Sequence, residues 1–132
     1  LRRLRTRRGS SELIGTRYLT QSVPDAIYTP EGKQQVKANI DYYMQNAATM
    51  RKSLEAAGLK VYGGVNAPYL WLKTPNGIGS WRFFEQMLYE ANVVGTPGVG
   101  FGPSGEGFLR LTAFGTHEDC EEAMRRIRKW LA

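Results

Sequence analysis

The chain has 132 residues, 42% of them hydrophobic, enough for one domain with a buried core and too few for two comfortable ones. No run approaches the ~18 uninterrupted apolar residues of a membrane-spanning helix. A single cysteine, Cys120, and a single histidine, His117, exclude an intrachain disulfide framework and a Cys/His metal cluster.

The formal net charge is +6, but it is unevenly spread. Residues 1–17 hold six arginines (Arg2, Arg3, Arg5, Arg7, Arg8 and Arg17) against Glu12, while the other 115 residues carry 12 basic and 11 acidic groups. The body is close to neutral and has no compositional bias toward nucleic acid. An arginine- and serine-rich, acid-poor opening suits an organelle transit segment, a disordered tail or a frame error at a gene end. It would also allow a non-catalytic module that binds an acidic partner, a nucleic acid or an anionic surface. Residues 1–28 are therefore set apart as a basic, disordered or aberrant segment, with a domain over 29–132.

Thr29-Pro30-Glu31 predicts a helix start, with Thr29 as N-cap and Pro30 at the first position, where its missing N–H costs nothing. The stripe Val36, Ile40, Tyr43, Ala47, Met50, Leu54 and Ala57 predicts about seven helical turns ending at Gly58. Two strands are expected at Leu59 to Tyr62 and Tyr69 to Lys73, closed by the turn signal Pro75-Asn76-Gly77. Ser80 is expected to cap a second helix that buries Trp81, Phe84, Leu88 and Ala91 and exposes Arg82, Glu85 and Glu90. A brief strand over Asn92 to Gly95, a glycine loop and a clear strand over Gly107 to Phe114 follow. Thr116 caps a last helix with Ala123, Ile127, Trp130 and Leu131 inward; its terminal cations Arg125, Arg126, Arg128 and Lys129 are explained by the helix dipole. This order suits an α+β sandwich of two layers, a small, mostly antiparallel sheet with helices on one face.

The glycine loop does not read as a nucleotide site. Gly100, Gly102 and Gly105 satisfy G-x-G-x-x-G, but a strand follows where a helix N-terminus would have to meet the pyrophosphate. An RNA-binding strand fails as well, because Glu106 and Leu109 stand where a basic and a small residue belong. Arg110 is the informative residue. Alternation puts Leu109, Leu111 and Ala113 toward the core and Arg110 on the other face with Phe108, Thr112 and Phe114. A guanidinium there is either a seat for a carboxylate or phosphate, or one half of a structural salt bridge with Glu106 or another acid.

The stretches TPEG, YGGVNAPYLWLKTPNGIGSW and EANVVGTPGVGFGPSGEGFLRLTAFG closely resemble, over about residues 29–131, the C-terminal part of the LL-diaminopimelate aminotransferases. These belong to the class I/II, fold-type I, pyridoxal-phosphate aminotransferases. The resemblance implies that Arg110 binds the substrate α-carboxylate and that the loop with Gly98, Phe101 and Gly102 lines the active-site mouth. It further implies amino transfer between glutamate and tetrahydrodipicolinate in lysine synthesis, on pyridoxal phosphate, by homodimers with active sites at the subunit interface. Two departures from the family stand out. No serine-x-x-lysine segment for the cofactor lysine is present, so no catalytic or cofactor-binding residue is assigned and the chain is expected to be inactive alone and to bind no cofactor. Before TPEG the arginine-rich opening replaces the family's small-residue segment, and a frame error or false exon start is the preferred reading there.

Overall fold

A computed structural model describes residues 25–132, so the arginine-rich run lies outside the described residues. The chain divides between Asn39 and Ile40 into two units. Helix α1 (Pro30–Ala56) begins in the first. Its start is capped as expected: Thr29 Oγ1 accepts the N–H of Gly32 at 3.0 Å and donates to Ala26 O at 2.7 Å. Its end is a Schellman arrangement. Gly58 turns left-handed at φ +82°, its N–H reaches Glu55 O, and the N–H of Leu59 reaches Leu54 O at 3.1 Å.

The second unit carries the sheet. Strands β1 (Val61–Gly63), β2 (Tyr69–Lys73), β3 (Thr96–Pro97) and β4 (Phe108–Thr112) lie in the order β1-β2-β4-β3, every neighbouring pair antiparallel. Helices α2 (Ser80–Ala91) and α3 (His117–Leu131) complete it. Leu70, Leu72, Leu109 and Leu111 project from the two central strands into one buried cluster with Met50 and Leu54 of α1, Phe83 and Met87 of α2, and Met124 and Ile127 of α3. All three helices therefore cover the same face of the sheet, and the expected two-layer α+β architecture is what forms. Each fully buried leucine, phenylalanine or methionine contributes roughly 1.5–3 kcal/mol relative to exposure.

Local details depart from the sequence reading in four places. Val36 and Ile40 belong to the helical stripe but are exposed, and burial on α1 begins at Asn46 and Ala47. The buried side of α2 is Ser80, Phe83, Met87 and Ala91, whereas Trp81 is 59% exposed. Two apolar stripes run along this helix about one residue apart; Ala91 is buried as expected and Phe84 packs half-buried on the core, while Trp81 turns outward. Ser80 does not cap α2; Gly79 holds the N-cap position without any side-chain bond. No strand forms over Asn92 to Gly95, because Asn92 takes a left-handed conformation (φ 52°) to stop α2, and pairing starts only at Thr96. At the next helix Thr116 caps as expected, its hydroxyl accepting the N–H of Asp119 at 3.1 Å.

Asn46 is 1% exposed and clamps the connection between β4 and α3. Its Nδ2 donates to Gly115 O at 2.9 Å and Ala113 O at 3.3 Å. Its Oδ1 is thereby left to accept the proton of His117 Nδ1, and the His117 backbone N–H donates to Tyr42 Oη at 2.9 Å. Asn46→Ala strands two carbonyls and a ring N–H. It is expected to cost about 2–3 kcal/mol in urea unfolding of the chain, and a loss under ~0.5 kcal/mol would reject the clamp.

Candidate functional site

Between β3 and β4 the glycine-rich segment folds into two short 3-10 turns, Gly98–Phe101 and Pro103–Gly105. Their bases touch through bare backbone. A Cβ on Gly98 would lie 2.2 Å from Gly105 O, and one on Gly105 would lie 2.0 Å from Gly98 O. Glycine is required at both positions by space alone.

The loop is then bolted to the start of α2. Glu106 Oε1 accepts the backbone N–H of Ser80 at 2.9 Å, satisfying a free donor at the helix N-terminus and placing negative charge at its positive end. Ser80 Oγ, fully buried, accepts from the N–H of Gly107 at 3.0 Å and Phe108 at 3.3 Å and donates to Gly105 O at 3.2 Å. Glu106 is thus a helix cap reached from 26 residues away in sequence, and the expectation that it might neutralise Arg110 is not met.

Beyond this anchor β4 alternates as the sequence predicts. Leu109 and Leu111 are buried in the core, while Phe108, Arg110 and Thr112 lie on the opposite face. Arg110 sits opposite Trp71 of β2 on one side and opposite Thr96 of β3 on the other. The guanidinium carbon lies 4.3 Å from the centre of the Phe101 ring and 5.1 Å from that of Tyr69. Such stacking contributes from about 0.5 to 2 kcal/mol, rising as water is excluded.

No ion pair among the described residues includes Arg110, and its buried Nε has no hydrogen-bond partner. Three other arginines are paired. Arg51 bonds Glu55 and Gly63 O, and Arg125 and Arg126 both bond Glu122, whose carboxyl is held down at about 2 by hydrogen bonds from Arg125 and then Arg126. A donor fork stacked beside aromatic rings, with no acid paired to it among the described residues, has the chemistry to accept a planar anion.

Trp71 and Phe101 also wall a depression of about 570 Å³ completed by Tyr62, Ser104, Gly105 and Phe108. A larger groove of about 770 Å³ lies along α1 and α3, but its Glu122 and Arg125 neutralise each other and it holds no arrangement of this kind.

Gly98 is at the buried base of the loop, while Phe101 and Gly102 are at its tip. His117 is spent on the Asn46 clamp, and burial raises the pKa of the Cys120 thiol, which makes it a poor nucleophile. Among the described residues no three side chains are grouped to hold a metal ion, and no helix is long and apolar enough to cross a membrane. Sequence reasoning missed Tyr69 and Trp71 as neighbours of Arg110. Their signal was the alternation in Tyr-Leu-Trp-Leu-Lys, which names a face but not the strand it pairs with.

The family model for aminotransferase class I and II matches residues 4–127. An LL-diaminopimelate aminotransferase from Bacteroides thetaiotaomicron is 69% identical over 131 residues, covering 99% of this chain and 32% of that protein. One from Methanosphaera stadtmanae is 60% identical over 93% of this chain and 30% of its own. Among solved structures, the L,L-diaminopimelate aminotransferase from Chlamydomonas reinhardtii has a TM-score of 0.87 and 38% identity, over 93% of this chain and 30% of that one. An aromatic aminotransferase from Pyrococcus horikoshii has a TM-score of 0.75 and 30% identity, over 80% and 28%. The chain spans about a third of the length of these curated relatives. Their similarity does not stop before TPEG, as the motifs alone suggested, but continues into residues 1–28.

Proposed function

The chain belongs to the class I and II aminotransferases, and from that premise we propose that it is the C-terminal, substrate-carboxylate-binding domain of an LL-diaminopimelate aminotransferase. In this reading residues 29–132 form the domain and Arg110 holds the α-carboxylate of glutamate, of LL-diaminopimelate and of their oxo counterparts. The loop with Gly98, Phe101 and Gly102 forms the rim of the site. The observation that carries the reading is the guanidinium of Arg110, central in the sheet, flanked by rings and unpaired among the described residues.

Its chemistry follows from geometry. Two parallel N–H groups meet the two oxygens of a carboxylate in one plane, and each charge-assisted bond contributes about 1.5–3 kcal/mol. Phe101 and Tyr69 stack beside the guanidinium and Trp71 lies opposite Arg110 in the sheet, reducing its exposure to water and so strengthening the pair. The domain's part in amino transfer is to fix one end of the substrate so that its amino-bearing carbon is delivered in a single orientation.

Pyridoxal phosphate supplies the electron sink in full-length enzymes of this family, and the described residues do not fit it. A phosphate would seek a helix N-terminus, but that of α2 is occupied by the carboxylate of Glu106, that of α1 is capped by Thr29, and that of α3 gives its N–H groups to Thr116 and Tyr42. The sequence also has no serine-x-x-lysine segment for a Schiff base. The chain is therefore the substrate side of a site whose cofactor side lies in the remaining length of such a protein, and it is inactive alone.

The test is to assay glutamate-dependent amino transfer by the 132-residue chain alone and joined to the remaining two-thirds of such a protein. Activity is expected only in the joined protein and is expected to depend on Arg110. Activity indifferent to Arg110 would overturn the assignment.

A further inference from the structure

We infer that Phe101 is a positioning residue for Arg110, carried on the tip of the glycine loop so that its ring sets the plane in which the guanidinium meets its ligand. The inference rests on the reading of Arg110 as a carboxylate seat and adds the residue that orients it.

The loop contains glycines of two kinds. Gly98 and Gly105 lock its base, because neither has room for a side chain. At the tip, a Cβ added to Gly100 or Gly102 would meet nothing within 4 Å, so neither is demanded by packing. Gly102 takes φ +118°, a conformation that side-chain-bearing residues rarely adopt. Phe101 thus stands between two glycines with open space beside them, above a closely packed base.

The tip is closed by backbone bonds, Gly102 N–H to Val99 O at 3.0 Å and Gly105 N–H to Gly102 O at 2.9 Å, and the Phe101 ring ties it to the sheet. Phe101 is 50% exposed, so burial alone does not fix it. Its ring meets Trp71 edge to face at 5.3 Å and lies 4.3 Å from the guanidinium carbon of Arg110. Tyr69 lies 5.1 Å from the same carbon. Contact with two rings restricts rotation of the guanidinium, and a fork rotated out of the carboxylate plane loses one of its two parallel bonds.

The experiment follows the Arg110 Nε–H resonance of the 132-residue chain by nitrogen-15 NMR while acetate, and separately L-glutamate, is added. Four proteins are compared: wild type, Phe101→Leu, Phe101→Tyr and Arg110→Met. Without ligand, the ring current of Phe101 is expected to shift the wild-type resonance upfield, with the shift kept in Phe101→Tyr and lost in Phe101→Leu. For binding, read for every variant from backbone amides of β4, Phe101→Leu is expected to be about 3- to 10-fold weaker than wild type, with Phe101→Tyr within about twofold. Arg110→Met is expected to abolish the response.

If Phe101→Leu keeps both the shift and the wild-type affinity while Arg110→Met loses binding, the positioning role is overturned and the carboxylate seat stands. If Arg110→Met binds like wild type, or wild type responds to neither probe, the carboxylate reading itself falls.

Discussion

On the proposed carboxylate role, Arg110→Lys in a full-length protein carrying this chain is expected to lower kcat/KM for glutamate and for the diaminopimelate-side substrate alike, by about 10- to 100-fold. The range corresponds to losing one charge-assisted hydrogen bond of about 1.5–3 kcal/mol. Lysine keeps the charge but replaces a planar fork with a point donor on a flexible stem, so one of the two parallel bonds disappears. Both substrates are expected to suffer, because in the proposed reading both present an α-carboxylate to this guanidinium. Stability is the control. Arg110 contributes no ion pair among the described residues, so the urea midpoint should move little. Kinetics unchanged for both substrates would reject the carboxylate role, and a loss confined to one of them would assign Arg110 to that substrate alone.

Gly98→Ala and Gly105→Ala are each expected to destabilise the chain by roughly 2–4 kcal/mol, or else to displace the loop and abolish carboxylate binding at Arg110. An added Cβ at Gly98 lies 2.2 Å from Gly105 O and 2.8 Å from Phe108 O, and one at Gly105 lies 2.0 Å from Gly98 O. All of these are backbone atoms, which cannot turn aside as a side chain can. Gly100→Ala makes the comparison sharp, because nothing lies within 4 Å of its Cβ and the expected change is within ~0.5 kcal/mol. Urea unfolding of the three variants, with binding measured in each, decides the matter. Equal tolerance at all three glycines would show that the close approach of the loop to itself is not a constraint.

The face on which Arg110 lies was legible from a single strand. Its leucines alternate with Phe108, Arg110 and Thr112, and a period of two leaves no choice once one side is apolar. The limits of α1 were equally plain, since Thr29, Pro30 and Gly58 each act through local backbone chemistry. What could not be read depends on contacts between segments distant in sequence. Helix α2 offers two apolar stripes a residue apart, and only the sheet beneath it selects Phe83 and Met87 over Trp81. Asn46 gives no sign in sequence that it will be buried, because its partners lie 67 and more residues away. Glu106 looked like a neutraliser for Arg110 because it is four residues distant, yet its carboxylate turns to the N-terminus of α2.

That last bond bears on how this region can be exchanged between proteins. The loop, the first turn of α2 and the entry into β4 share one set of donors and acceptors, centred on Ser80 and Glu106. A graft of the loop alone into a related scaffold would arrive without the hydroxyl that receives its returning backbone. A transplant that keeps the rim in shape must carry Ser80 along with residues 96–110, and insertions are better tolerated at Gly100 to Gly102 than at either end.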